Sequence, residues 1–277
     1  MYQPLSNIHP DARIAKNVVI EPFTSIENNV VIGQGTWIGS NVTIMTGARI
    51  GKNCSIFPGS VISAVPQDLK FNGEDTTVVI GDNTIIRECV TINRGTTDRN
   101  KTVIGKNCLI MAYCHIAHDC IVGDNSIFSN NSTLAGHVTV GSYVILAGMV
   151  AVHQFCAIGN HAFVAGGSLV RKDIPPFVKA AREPISYVGI NSVGLRRRGF
   201  DSKVIMEIQS IYRTLYQKKY NNTQAVNIME AEMEATKERD EIILFIKNSQ
   251  RGITVSYTHL RAHETPEHLV CRLLLEK

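Results

Sequence analysis

The sequence lacks any apolar run near the eighteen or so residues that a membrane-spanning helix needs. Its N-terminus, MYQPLSNIHPDAR, lacks the charged, apolar and small-residue regions of a secretory signal. These two absences predict a cytoplasmic protein with no integral membrane segment.

Paired cysteines and a large excess of charge are also missing. The seven cysteines occur singly, without C-x-x-C spacing, which is typical of reduced thiols used as small apolar side chains rather than of a zinc knuckle or a disulfide framework. The formal net charge of +4 is spread over 277 residues, too small and too dispersed for a nucleic-acid partner. A mild excess of cations favours an acidic substrate or carrier.

What the sequence does contain is a repeat of six residues. Isoleucine or a similar apolar residue occupies every sixth position from Ile8 to Ile62, from Ile80 to Ile92 and from Ile104 to Val170. This period fits a solenoid in which each hexad makes one short strand, one turn and one inward side chain. The pattern resembles the hexapeptide-repeat family, whose coils of three hexads wind left-handed. It predicts a mainly β protein, a left-handed parallel β-helix of hexapeptide repeats with a C-terminal α-helical domain.

Interruptions of the repeat define the remaining organisation. Polar insertions at 63–79 and 93–103 are predicted to be loops that leave the stack and carry binding residues. After Val170 the chain is interpreted as an irregular strap (171–195). Three helices are predicted to follow: one that begins near Ser202, one over roughly 223–239 and one that ends near Gly252. The predicted domains are 1–190 for the β-helix and 191–254 for the helical part. The segment 255–277 departs in style and is interpreted as an extraneous tail, so its reactive residues are excluded from any site: His259, His263, His268 and Cys271.

Four histidines cluster in one stretch of the β-helix: His115, His118, His137 and His153. Anchors eighteen residues apart should stack, which brings three of these imidazoles to nearly one edge of the prism. One imidazole can act as general base for acyl transfer near neutral pH. Zinc binding, as in the β-helix carbonic anhydrases, is the alternative, but that family pairs histidines five apart, so no metal site is predicted.

Five further strings make the resemblance specific. They are PQDLKFNGE at 66–74, AHDC at 117–120, TLAGHV at 133–138, AVHQF at 151–155 and LRRRGF at 195–200. In this order, over about residues 8 to 252, they closely resemble the acyl carrier protein:UDP-N-acetylglucosamine O-acyltransferases of lipid A synthesis. Residues 1–190 are then the acyltransferase domain.

The resemblance implies transfer of an (R)-3-hydroxyacyl group from acyl carrier protein to the glucosamine 3-hydroxyl of UDP-N-acetylglucosamine, the first step of lipid A biosynthesis. It implies His118 as general base, Asp119 as its orienting partner and the Gly136 N–H as oxyanion donor. It implies these substrate-binding residues: Gln67, Asp68, Lys70, His115, His137, His153, Gln154, Gly166, Asn191, Arg197 and Arg198. Gly166 aligns with the position that limits acyl length, whereas Val193 stands where many relatives have an acidic residue.

The same resemblance implies a homotrimer with clefts between neighbouring prisms, and no cofactor, because the donor thioester arrives on the carrier's phosphopantetheine. Four cations are interpreted as solvated surface or as contacts for the acidic carrier: Arg94, Arg99, Lys101 and Lys106. Two other readings stay open. The first is a purely structural solenoid, which would explain the isoleucine repeat but give the histidines no role. The second is an acyl-CoA-dependent sugar acetyltransferase, which would use the same fold.

Overall fold

The structure is a computed structural model that describes residues 5–218 and 220–256. Three sheets of nine, eight and ten strands form the walls of a prism. Strands follow one another from the first sheet to the second to the third and back, so each strand of the stacked coils pairs in parallel with the strand three places later. The last two strands depart from this rule: the first of them pairs in parallel with the strand two places earlier, and the two pair with each other in the antiparallel sense. This is the left-handed parallel β-helix that the repeat predicts.

The strands are short because each hexad spends most of its length on a turn. In chain order they are β1 (Asn7–Ile8), β2 (Arg13–Ile14), β3 (Val19–Ile20), β4 (Ser25–Ile26), β5 (Val31–Ile32), β6 (Trp37–Ile38), β7 (Thr43–Ile44), β8 (Ala48–Ile50), β9 (Ser55–Ile56), β10 (Val61–Ala64), β11 (Thr77–Ile80), β12 (Ile85–Ile86), β13 (Thr91–Asn93), β14 (Lys101–Ile104), β15 (Leu109–Ile110), β16 (His115–Ile116), β17 (Ile121–Val122), β18 (Ile127–Phe128), β19 (Thr133–Leu134), β20 (Thr139–Val140), β21 (Ile145–Leu146), β22 (Ala151–Val152), β23 (Ala157–Ile158), β24 (Phe163–Val164), β25 (Leu169–Val170), β26 (Val178–Ala181) and β27 (Ser186–Ile190).

Every predicted inward position points into the prism. From Ile20 to Val170 these side chains are at most 3% exposed, while Ile8 and Ile14 in the first coil are partly buried. Two features of the turns allow the coils to stack. A Cβ on Gly123 would lie 2.6 Å from the Gly141 carbonyl carbon, so that glycine is needed for close approach rather than for its φ. Three residues after the anchor the backbone adopts a positive φ, as at Asn107 (55°), which asparagine tolerates.

The three edges of the prism carry different residues. Edge 1–2, between the first and second sheets, includes residues 117–120, 135–138 and 153–156. Edge 2–3 includes residues 123–126, 141–144 and 159–162, and edge 3–1 includes residues 111–114, 147–150 and 165–168. The insertions leave the stack as loops 65–76 and 94–100, while the strands on either side of them keep their pairing, which confirms the predicted extrusion.

Four helices cover the end of the prism within the described residues: α1 (Ser192–Arg197), α2 (Ser202–Gln217), α3 (Asn222–Glu232) and α4 (Lys237–Asn248). The predicted helix over 223–239 was wrong at its end. Met233 is extended, and the Thr236 hydroxyl accepts a hydrogen bond from the Arg239 N–H, which starts α4 instead. None of these helices, in the part of the chain that is described, is long and apolar enough to cross a membrane.

The segment after Val170 is more regular than predicted. β26 adds to the third sheet beside β24, and β27 pairs with β26 in the antiparallel sense. The predicted irregular strap was therefore wrong, because the exposed edge of the last coil provides a template for two more strands. The predicted tail at 255–277 lies outside the described residues except for Val255 and Ser256.

Candidate active site

His118 and Asp119 lie side by side at edge 1–2 and contact each other directly. Along a strand, neighbouring side chains point to opposite faces, so two adjacent strand residues would not make this contact. Here both residues lie in a turn, and Asp119 has φ 59°. The turn brings Asp119 Oδ2 to 2.8 Å from His118 Nδ1.

The Asp119 carboxylate is fully buried and held by the loop 94–100. Thr96 donates from its N–H and, at 2.7 Å, from its hydroxyl, and the Arg99 N–H donates at 3.2 Å. Burial alone would raise the pKa of Asp119, but the bonds from Thr96, His118 and Arg99 outweigh it and lower the pKa below its ordinary value. The carboxylate is therefore charged and fixed in direction.

This contact determines which nitrogen of His118 is available for chemistry. A charged carboxylate accepts only, so Nδ1 carries a proton, and in the neutral imidazole Nε2 therefore keeps its lone pair. The ring packs over Gly136, where a Cβ would lie 2.6 Å from His118 Cε1. Within the part of the chain that the structure describes, the Gly136 N–H donates no hydrogen bond, while the flanking Ala135 and His137 donate theirs to carbonyls of neighbouring coils. The base and an unused N–H thus adjoin each other.

His137 extends the same edge one coil further. Its ring contacts the His118 ring edge to face, with centroids 5.0 Å apart, and stacks on Phe155 at 4.4 Å. Its Nδ1 lies 3.1 Å from Asp98 Oδ2 and 3.9 Å from Asp119 Oδ2.

The ligand atoms of His118, Asp119 and His137 lie within 4.8 Å of one another, a spacing compatible with a metal ion. Both Asp119 oxygens, however, already accept bonds from loop 94–100, and each imidazole Nδ1 faces a carboxylate. This arrangement favours a hydrogen-bonded pair over a metal centre.

A cavity of about 260 Å³ opens beside His137. Loops 65–76 and 94–100 form its other walls, with Asp68 and Lys70 from the first loop and Phe155 from the prism. Gln67 precedes them and is exposed, and Asp68 Oδ1 accepts a hydrogen bond from the Lys70 N–H, which fixes the bend of the loop. The structure therefore brings a predicted acidic and a predicted basic residue to the same side as the imidazoles.

The other predicted histidines, His115 and His153, do not join the cluster of His118, Asp119 and His137. His115 lies on the outer face of the first sheet, where its Nδ1 is 2.7 Å from Thr91 Oγ1, and burial followed by the charge of His118 lowers its pKa. His153 and Gln154 are exposed at edge 1–2, and His153 Nδ1 lies 3.2 Å from the Gln154 carbonyl. The three imidazoles of the predicted column, His118, His137 and His153, thus lie at one edge, and the rings of His118 and His137 contact each other.

Four other predicted residues lie on different edges. Gly166 is at edge 3–1, where a Cβ would approach the Gly148 carbonyl to 3.0 Å. Asn191 is the N-cap of α1, and its Nδ2 donates to the His161 carbonyl at edge 2–3. Arg198 approaches the same histidine, while Arg197 is exposed at the end of α1. A single chain therefore distributes its predicted site over three edges.

Sequence reasoning missed the residues of loop 94–100 that contact the pair. Thr96 and Asp98 were not singled out, and Arg99 was interpreted as solvated surface or as a carrier contact, whereas its guanidinium donates to the Asp119 carbonyl and to Thr139 Oγ1. One signal was available. The left-handed turn position holds Asn or Gly in most turns, because these residues tolerate a positive φ. Asp119 and His137 occupy that position despite its cost, which indicates that their side chains have a functional role.

Comparisons with known proteins match both the β-helix and the helical end of the chain. The family described as Udp N-acetylglucosamine O-acyltransferase, domain 2, matches residues 173–254, and the bacterial transferase hexapeptide family (six repeats) matches residues 29–64 and 101–136. A relative from Myxococcus xanthus named acyl-(acyl-carrier-protein)–UDP-N-acetylglucosamine O-acyltransferase is 46% identical over 252 residues, which cover 91% of this chain and 98% of the relative.

Solved structures extend the similarity to the fold. A UDP-N-acetylglucosamine acyltransferase from Bacteroides fragilis has a TM-score of 0.90 and 48% identity, covering 91% of this chain and 99% of its own. The enzyme from Francisella novicida has a TM-score of 0.90 and 41% identity, covering 92% and 94%. Identity at this level over nearly the whole length of each relative shows that the chain belongs to the acyl carrier protein:UDP-N-acetylglucosamine O-acyltransferase family.

Proposed function

We propose that this protein transfers an (R)-3-hydroxyacyl group from acyl carrier protein to the glucosamine 3-hydroxyl of UDP-N-acetylglucosamine, the first step of lipid A biosynthesis. The observation that carries the proposal is the His118–Asp119 pair, which leaves Nε2 of an oriented imidazole free. The His118 ring contacts His137, and His137 lines an open cavity. The names of the relatives supply the donor and acceptor classes.

The chemistry follows from the unused atoms. His118 Nε2 takes the proton of the 3-hydroxyl as that oxygen attacks the thioester carbonyl carbon. The Gly136 N–H donates to the oxyanion that forms, a contribution of about 2.7–4 kcal/mol for one such donor. Collapse of the tetrahedral intermediate breaks the carbon–sulfur bond, and the imidazolium returns its proton to the departing thiolate of the carrier. Asp119 stabilises the imidazolium through Nδ1, and no acyl-enzyme forms.

The other predicted residues divide into three groups. Gln67, Asp68 and Lys70 would bind the sugar and its acyl groups from the loop side, and Asp68, Lys70 and His137 already share one cavity. His115, His153 and Gln154 would complete the lining of the cleft. Asn191, Arg197 and Arg198 would bind the nucleotide and its diphosphate, because guanidinium groups match phosphate oxygens in pairs. Gly166 would leave room for the end of the acyl chain. The donor comes on phosphopantetheine, so the reaction uses no further cofactor.

A homotrimer would complete the site. The predicted groups occupy three edges of one prism, and a nucleotide sugar needs an enclosed cleft. Edge 3–1 also exposes apolar side chains at left-handed turn positions, where asparagine would be more stable: Phe23 (63% exposed), Tyr113 (61%) and Met149 (67%). Burial of this edge against a second copy would offset the cost of exposing apolar side chains and the strain of their positive φ. Rotational symmetry closes such head-to-tail contacts into a ring.

The experiment is transfer from 3-hydroxyacyl carrier proteins of graded chain length to UDP-N-acetylglucosamine. Wild type should turn over, with one preferred length, and His118→Ala should lose at least about 100-fold in kcat because general-base catalysis is removed. The matched control is His9→Ala, an exposed histidine far along the chain from the site. Full activity in His118→Ala would refute the mechanism, and turnover of acetyl-CoA instead of hydroxyacyl carriers would favour the sugar acetyltransferase reading.

A further inference from the structure

A column of aromatic rings replaces asparagine at edge 2–3 in the last coils of the prism. The left-handed turn position of this edge holds asparagine in the four coils that precede the column, for example Asn107 (φ 55°) and Asn125 (60°). In the coils that follow, the same position holds Tyr143, His161 and Phe177, with φ of 59°, 59° and 64°. Bulky residues rarely adopt a positive φ, so their presence at three successive turns indicates that the rings themselves have a role there.

His161 is the middle ring of the column. Its ring lies nearly parallel to Tyr143, with centroids 4.9 Å apart, and to Phe177 at 5.6 Å. The Phe200 ring meets it edge-on at 5.1 Å. Contacts on both faces and one edge leave the imidazole a single orientation.

Two of the three predicted nucleotide-binding side chains, those of Asn191 and Arg198, bond to this histidine. The His161 carbonyl accepts a hydrogen bond from Asn191 Nδ2 at 2.9 Å. Arg198 Nη1 lies 3.3 Å from His161 Nδ1, and because a guanidinium only donates, Nδ1 is the acceptor. The Arg198 guanidinium also lies over the Tyr143 ring, with Cζ 5.2 Å from its centroid.

The protonation state of His161 suits this role. Burial, followed by the charges of Arg198 and Lys237, lowers the pKa of His161 to about 4. The imidazole is therefore neutral near pH 7 and able to accept from Arg198, whereas an imidazolium would repel it. Positive charge at this edge then comes from Arg198 and Lys237, which is what an anionic ligand requires.

We propose that His161 is a positioning residue for the nucleotide diphosphate of the sugar substrate, acting through its imidazole, which holds Arg198 in place, while its backbone carbonyl holds Asn191. The inference rests on the proposed function, since it takes UDP-N-acetylglucosamine as the ligand. Loss of this residue reduces substrate binding and leaves the chemistry at His118, on another edge, unchanged.

The test compares two substitutions of His161. His161→Phe keeps a ring in the column and removes the acceptor, so KM for UDP-N-acetylglucosamine rises about tenfold, kcat stays within about twofold, and calorimetric binding of UDP weakens about tenfold, the size of one charge-assisted bond. His161→Asn restores the residue of the preceding coils with an acceptor oxygen, and its KM stays within about threefold of wild type. In an Arg198→Ala background His161→Phe adds nothing further.

The proposal is overturned if His161→Phe leaves KM and UDP binding unchanged, if it lowers kcat instead, or if its effect persists at full size in Arg198→Ala. Wild-type turnover reports on the proposed function separately. A wild type that fails to turn over UDP-N-acetylglucosamine, while UDP binding still depends on His161 and Arg198 together, would refute that function and retain the positioning role.

Discussion

At the scale of single residues, the site depends on a backbone conformation that side chains rarely adopt. A positive φ at Asp119 directs its carboxylate to the preceding His118, and a positive φ at His137 places the second ring against the first. These conformations recur because the coils stack. The histidines could be predicted from the sequence, because the repeat fixes their register. Thr96 could not, because it lies in a loop whose approach to Asp119 has no periodic signal.

We expect Thr96→Val to weaken the pair without removing it. The substitution deletes the 2.7 Å hydroxyl bond to Asp119 and leaves the backbone bond in place, so kcat should fall about tenfold at unchanged KM. Thr96→Ser keeps the hydroxyl and should stay close to wild type. Steady-state kinetics of the three proteins checks this, and equal kcat values in Thr96→Val and wild type would remove Thr96 from the account.

The same variant has a pH signature. Asp119 has a lowered pKa in the folded protein, so it contributes stability above its ordinary pKa of about 4, which is lost as pH falls through the folded value. Thr96→Val should therefore be less stable than wild type by a constant margin near neutral pH, and the margin should shrink below about pH 4. Denaturant unfolding across this range measures it, and a margin that widens in acid would contradict the assignment.

At the scale of elements, every hexad of the prism follows the same structural rule. Each anchor from Ile20 to Val170 is buried as the six-residue period predicts, because every hexad provides its own strand, turn and core residue. The helical end follows no such rule. The boundary between α3 and α4 depends on the Thr236 cap, and the pairing of β26 and β27 depends on the last coil, so both escaped prediction.

We expect Gly123→Ala to destabilise the stack. The new Cβ would lie 2.6 Å from the Gly141 carbonyl carbon and the Ser142 nitrogen, which forces two coils apart at a cost of about 1–3 kcal/mol. Gly148→Ala is the matched control, since its Cβ would meet the Asn130 carbonyl at an ordinary 3.5 Å. Denaturant unfolding measures both. Equal stability of the two variants would show that backbone contact between coils does not limit this position.

At the scale of the whole molecule, one prism holds the parts of a site but separates them. His118 is at edge 1–2, Arg198 is attached to edge 2–3, and edge 3–1 exposes apolar residues at strained turns. A rigid prism cannot bring its own edges together. A second copy can supply the missing edge, and on this account each cleft takes the base from one chain and the nucleotide-binding arginine from its neighbour.

Mixing two inactive variants tests this most directly. His118→Ala and Arg198→Ala should each be nearly inactive alone at low substrate concentration. When the two are unfolded together and refolded as mixed trimers, about a quarter of the clefts combine an intact His118 with an intact Arg198 from the neighbour, so about a quarter of wild-type activity should return. If the mixture stays as inactive as its components while wild type recovers fully under the same treatment, both residues act within one chain and the shared site is wrong.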